Sequence, residues 1–245
     1  MQRWSPEIIR YLYTAADHSR YYQDLARQLG AFLRPEDRVC DAGCGLGLLS
    51  RALLPYCAHV TAVDRSPAAV AALRARGEDP KLRQEVMRFE QYREQFAFLR
   101  DNGITTRTDM AAFTARTEET LAIAARQCGG TALVVRRDFR RHQFSSGVRM
   151  AGHTAADMER ELQRRGLTYT ARRFTLELGQ PFLSLDDAQA FFRLYSRDGA
   201  VPSRQELAQR LELSAWADYP LYLPNPKPLC LLAIPAAQLR EEMYG

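Results

Sequence analysis

Lysine is scarce in this chain. Of 34 basic residues only Lys81 and Lys227 are lysines, and the rest are arginines spread along the sequence. A nucleic-acid binder gathers its basic charge into a patch or stripe. The net charge of +5 is not gathered in that way, so a nucleic-acid partner is not expected. Long apolar runs are also missing, and none approaches the ~18 residues needed to span a membrane. Met1-Gln2-Arg3-Trp4-Ser5-Pro6 has no apolar segment of the kind a signal peptide carries. The five cysteines (Cys40, Cys44, Cys57, Cys128, Cys230) form an odd, scattered set without C-x-x-C spacing. That pattern argues against a disulfide framework and a zinc site, so no metal is expected. It fits a reducing, cytoplasmic setting. Internal repeats and low-complexity segments are absent. The densest basic stretch, Arg136-Arg137-Asp138-Phe139-Arg140-Arg141-His142, reads as a solvated loop ahead of a phosphate-facing edge or a neutraliser of an anionic substrate.

What the chain does have is an ordinary hydrophobic share, 46% over 245 residues, enough for one α/β domain with elaborations. It is organised around Arg38-Val39-Cys40-Asp41-Ala42-Gly43-Cys44-Gly45-Leu46-Gly47-Leu48-Leu49. A short apolar run reads as a strand, three alternating glycines make the turn, and Leu46, Leu48, Leu49, Leu53 and Leu54 fit a helix. Strand, glycine turn and helix start in that order make a place where backbone can lie against a cofactor. Glycine suits such a turn because it tolerates positive φ and carries no Cβ to block close approach. Cys40 and Cys44 read as small buried fillers, with a redox or metal pair as the alternative. A second strand, His59–Asp64, ends in a carboxylate about 17 residues past Gly47. An acid at the end of the second strand of a nucleotide-binding unit accepts hydrogen bonds from ribose hydroxyls.

The dinucleotide fingerprint G-x-G-x-x-G/A fails at its third position, which is Leu48. The D-x-G-x-G-x-G run from Asp41 to Gly47 instead resembles motif I of the class I S-adenosylmethionine-dependent methyltransferases. The resemblance covers roughly residues 37–135 by motif and the whole chain by order of elements. It implies a seven-stranded, mostly parallel sheet, Rossmann-like, with helices on both faces and the last strand antiparallel. It implies S-adenosylmethionine as cofactor and S-adenosylhomocysteine as product. It also implies that the loop (Asp41, Gly43, Cys44, Gly45, Gly47) wraps the aminoacyl end of the cofactor, with Asp64 and Arg65 at the ribose. On the same resemblance Phe89 and Glu90 lie by the adenine. Helices ahead of the first strand form a lid, with Tyr21 or Tyr22 contacting cofactor or substrate; the other reading of both tyrosines is amphipathic packing.

The remaining elements follow in order. Helices are expected near residues 8–12 and 21–33, the second closed by Pro35. Ser66-Pro67 caps a helix from Ala68 to Arg76 that Gly77 ends. A third strand is due near Gln84–Phe89, followed by a helix over Gln91–Arg100. Thr108–Thr114 reads as the fourth strand, which would place Asp109 near the reacting methyl. In a competing register Ile104-Thr105-Thr106 begins the third strand and Asp109 becomes the adenine-side acid. Thr117 starts a helix ended by Cys128-Gly129-Gly130, and Thr131–Val135 is the fifth strand. Phe139–Gly152 is a loop in which His142 is a candidate general base. Thr154 and Asp157 form a capping box, and a β-rich run from Leu167 to Leu178 is the sixth strand. Ser184 with Asp187, and Ser203 with Glu206, start two helices of an insertion. Leu229–Ile234 is the final strand.

The expectation is therefore a single domain: a helical lid over 1–34, a cofactor-binding core over 35–178, a helical insertion over 179–227 and the last strand over 228–235. The expected activity is methyl transfer to an O, N, S or C nucleophile of a small molecule. The N-P-P-Y signature of amino-group methyltransferases acting on nucleobases or glutamine is absent. Two alternatives stay open: a non-catalytic S-adenosylmethionine-binding protein and an NAD(P)-linked oxidoreductase.

Overall fold

A computed structural model of the protein describes residues 4–86, 103–106, 117–140, 144, 154–195 and 201–245. Strand β1 (Arg38–Ala42) is central. It pairs in parallel with β2 (His59–Asp64) on one side and with β4 (Gly103–Thr106) on the other, and β2 pairs in parallel with β3 (Leu82–Val86). A second ladder has β10 (Pro226–Pro235) running antiparallel between β5 (Thr131–Arg137) and β6 (Thr170–Glu177). The two sheets abut where β4 lies beside β5. Among the described residues, the expected single seven-stranded sheet is thus replaced by four parallel strands and three antiparallel ones. The parallel ladder ends at β4, which is only four residues long, and no ladder joins β4 to β5 among the described residues. The last strand is antiparallel, as expected.

Alternation along the strands decides which helices cover which face. Leu133 and Val135 of β5, with Leu229, Leu231 and Ala233 of β10, belong to one buried cluster. There they meet α2 (Tyr21–Gly30), α3 (Leu48–Leu53) and α4 (Pro67–Ala75) through Leu25, Leu29, Leu53 and Leu73. Ala132 and Val134, with Cys230, Leu232 and Ile234, belong to a second cluster. That cluster includes Leu121 of α5 (Thr117–Gln127), Met158 and Leu162 of α6 (Ala155–Arg164) and Leu239 of a C-terminal helix. Burying both faces under helices is the arrangement of an α/β domain.

Several local readings hold. Ser66 Oγ accepts from the Ala69 N–H and Pro67 opens α4. Thr154 and Asp157 close a reciprocal capping box on α6. Gly77, just past α4, has φ of 101°.

Other readings need correction. The fourth strand is Gly103–Thr106, because β1 accepts it as its second parallel partner. The register in which Ile104–Thr106 starts the third strand fails for the same reason: Leu82–Val86 already holds the outer side of β2. The expected strand at Thr108–Thr114 and the expected helix at Gln91–Arg100 lie outside the described residues. Arg136 and Arg137 are not in a solvated loop. The fifth strand runs two residues past Val135, which leaves them 0% and 5% exposed and opposite Cys230 and Leu229. Arg136 Nη2 donates to Thr120 Oγ1 of α5 at 2.9 Å.

The insertion is not purely helical. It holds α7 (Leu185–Tyr195) and α8 (Arg204–Arg210), and also a three-stranded antiparallel sheet. In that sheet β9 (Tyr219–Leu223) lies between β7 (Gln180–Phe182) and β8 (Glu212–Trp216). Trp216, Tyr219 and Tyr222 favour a pleated surface, and Ala217-Asp218 makes a two-residue hairpin connection. Phe182, Phe191, Phe192, Leu207 and Leu223 give the insertion its own small core, to which α1 (Pro6–Asp17) contributes Tyr11.

Replacing Thr154 by Ala removes the acceptor for the Asp157 N–H and half of the capping box. The expected loss is about 1 kcal/mol of stability, read from urea unfolding midpoints. A midpoint equal to that of the parent would show that α6 is held by packing alone.

Candidate functional site

The carboxyl end of β1 runs directly into the glycine loop. Gly43, Gly45 and Gly47 have φ of 80°, 54° and 67°, the left-handed region that residues with a Cβ avoid. The loop is fastened to the end of β2. The N–H groups of Gly43 and Cys44 both donate to the Val63 carbonyl, at 2.8 and 3.0 Å. The Gly45 N–H donates to Asp64 Oδ2 at 2.9 Å, and the Ser66 N–H donates to Asp64 Oδ1 at 2.8 Å. Asp64 therefore joins the loop to the start of α4. Each of its oxygens takes one backbone N–H, and an ionised carboxylate offers about four lone-pair sites in all. Acceptor capacity remains for hydroxyl groups of a ribose, so the residue fits that ligand.

Gly47 turns the chain into α3. Its carbonyl accepts from the Arg51 N–H at 3.0 Å. A Cβ at this position would run into the Leu73 side chain of α4, so the third glycine serves close packing of loop against helix. Asp41 is only 2% exposed and accepts from Ser50 Oγ of α3 at 2.6 Å. The acid that opens the motif thus braces the end of β1 against the first turn of α3. Cys44 is half-buried, and burial, then Asp41 and Asp64, hold its thiol well above the usual range. Cys40 is pushed up in the same way, burial first. Burial disfavours the thiolate at both, which suits small buried fillers. Among the described residues no group of three or more His, Cys, Asp or Glu side chains is placed to hold a metal ion.

Arg65 is exposed beside Asp64. Tyr22 is buried on α2, its ring edge-on to Tyr21 at 5.0 Å. Burial, then neighbouring Tyr21, Tyr195 and Asp41, raises its pKa, so the phenol is neutral at any physiological pH. Tyr22 also lines a cleft of about 240 Å³ with Asp17, Gln23, Leu48, Arg51 and Arg76. The structure thus brings Asp41, Gly43, Cys44, Gly45, Gly47, Asp64 and Arg65 to the ends of two adjacent strands, with Tyr22 near Asp41. Phe89, Glu90, Asp109 and His142 lie outside the described residues. His59 sits at the opposite end of β2, with its pKa lowered by burial and by Arg38, Arg83 and Lys81.

Three neighbours of the loop escape a reading of the motif. Ser50 on Asp41 and Leu73 on Gly47 are ordinary helix residues whose spacing carries no signal. Trp4, whose indole faces Gly45, lies far from the loop in sequence.

Residues 39–128 match a protein-family model described as a methyltransferase domain. Solved structures share the fold. One is the YcgJ protein from Bacillus subtilis, at 16% identity and TM-score 0.52, covering 88% of this chain and 98% of that one. Another is a candidate type II methyltransferase from Anaeromyxobacter dehalogenans, at 19% identity and TM-score 0.52, covering 89% and 98%. A third is a candidate methyltransferase from Bacillus halodurans C-125, at 14% identity and TM-score 0.51, covering 87% and 98%. No curated protein matches by sequence.

Gly47→Ala is expected to cost about 2 kcal/mol or more, from φ strain and from the collision with Leu73. Denaturant unfolding checks this, and a change below about 0.5 kcal/mol would contradict the packing role.

Proposed function

We propose that the chain, whose residues 39–128 match a methyltransferase-domain model, uses S-adenosylmethionine to transfer a methyl group to an O, N, S or C nucleophile of a small molecule. The observation that carries this reading is the glycine loop held open in left-handed backbone and tied at Gly45 to Asp64. S-adenosylmethionine supplies, when bound, an electrophilic methyl on a sulfonium. The residues do the rest. Gly43, Gly45 and Gly47, with Cys44 between them, let the backbone come close to the aminoacyl end. Asp64 accepts from the ribose hydroxyls with Arg65 beside it. Asp41, fixed by Ser50, sets the loop that orients the methionine amine. Tyr22 closes the site from α2. Phe89 and Glu90 are assigned to the adenine, and Asp109 and His142 to the acceptor side.

Catalysis of this kind rests on holding donor and acceptor in near-attack geometry and on excluding water. A proton acceptor is needed only for a nucleophile that arrives protonated. On this reading the chain is one domain, with 1–34 as lid, 35–178 as cofactor core and 179–227 as cover of the acceptor. A small molecule is preferred to a nucleic acid because the basic residues are dispersed and two of the densest, Arg136 and Arg137, are buried. The five free cysteines fit a cytoplasmic setting, and among the described residues no helix is long and apolar enough to cross a membrane.

Calorimetric titration with S-adenosylhomocysteine, with NADH as control, tests the reading. Binding of the first and silence of the second are expected. Asp64→Ala should weaken S-adenosylhomocysteine about tenfold or more, as expected for a hydrogen bond to a charged group. Unchanged affinity removes the ribose role from Asp64, and binding of NADH alone would turn the assignment to an oxidoreductase.

A further inference from the structure

The glycine loop already has an aromatic ring against it. Carbons Cζ2 and Cη2 of the half-buried Trp4 would stand 3.2 and 3.4 Å from a β-carbon on Gly45. The indole therefore fills the space that Gly45 leaves by having none.

Trp4 is not part of a loose tail. Ser5 caps α1, its Oγ accepting from the Ile8 N–H at 3.3 Å, and Pro6 follows at the first helical position. The backbone direction is thus set one residue after Trp4. Helix α1 is then tied on two sides. Toward the cofactor core, Tyr13 donates its hydroxyl to the Ala72 carbonyl at 2.9 Å and Arg76 pairs with Asp17 at 2.8 Å. Toward the insertion, Tyr11 donates to the Asp187 carboxylate at 2.7 Å and Arg10 donates to the same oxygen at 3.2 Å. Past the C-terminus of α1, the His18 ring meets Trp216 and Tyr219 edge-on, each at 4.9 Å.

We propose that Trp4 is a built-in plug: its indole occupies the face of the glycine loop that the cofactor needs, and cofactor binding displaces it. The proposal rests on the cofactor reading above. A ligand that binds only the open state shows an affinity reduced by the fraction of molecules that are open. Removing the ring raises that fraction.

The test is S-adenosylhomocysteine titration of the parent and of Trp4→Ala by calorimetry, with circular dichroism melts to confirm folding. In parallel, Trp4 fluorescence is followed in Trp216→Phe, where it is the sole tryptophan. The plug predicts about three- to tenfold tighter binding by Trp4→Ala, and a red shift of Trp4 emission as ligand drives the indole into water. Binding by Trp4→Ala where the parent shows none supports it as well. Equal or weaker binding by Trp4→Ala, or unmoved emission while the parent binds, overturns the plug and leaves the cofactor reading standing. Absence of binding in both proteins overturns both.

Discussion

The hydrogen bond from the Gly45 N–H to the Asp64 carboxylate, 2.9 Å long, is the contact on which the site depends. It joins the turn after β1 to the turn after β2. The paired donation of Gly43 and Cys44 to the Val63 carbonyl fixes the same junction from the other side. With both in place the loop must pass through left-handed backbone at three positions, and only glycine does so without strain. Asp41 and Ser50 lock the loop to α3, and the close approach of Leu73 locks it to α4. The site is therefore a rigid corner between two adjacent parallel strands, where α/β sheets bind their ligands.

Among the described residues, three packed regions surround that corner. The two faces of the sheets are buried by separate sets of helices, and the insertion has its own aromatic core. Helix α1 touches both α4, beside the glycine-loop corner, and the insertion. It contributes Tyr11 to the insertion core and docks on α4 through Tyr13 and Asp17.

The sequence made local chemistry legible and left long-range choices hidden. Glycine spacing, the acid after the second strand and the capping pairs at Ser66, Thr154, Ser184 and Ser203 are signals contained within a few residues, and each lies where it was expected. Strand partners are chosen across the chain. The assignment of Gly103–Thr106 to β4 is fixed by its pairing with β1, which no local pattern of Ile and Thr reveals. The charged run at Arg136-Arg137 read as loop because charge outweighed strand length, yet β10 extends far enough to keep both residues in the ladder. The hairpin of the insertion carries Pro220 in its second strand, and a proline argues locally against a strand. The C-terminal helix Ala236–Tyr244 is marked in the sequence only by the helical spacing of Ala236, Leu239 and Met243. Trp4 on Gly45 and Ser50 on Asp41 are tertiary contacts with no trace in the motif.

The proposed cofactor site is this corner and not another surface. The most direct measurement is the amide spectrum of ¹⁵N-labelled protein during titration with S-adenosylhomocysteine. The account predicts that the Gly43, Gly45, Gly47 and Ser66 resonances move together and saturate at one stoichiometric equivalent. Shifts confined to other residues, with those four unmoved, would contradict it.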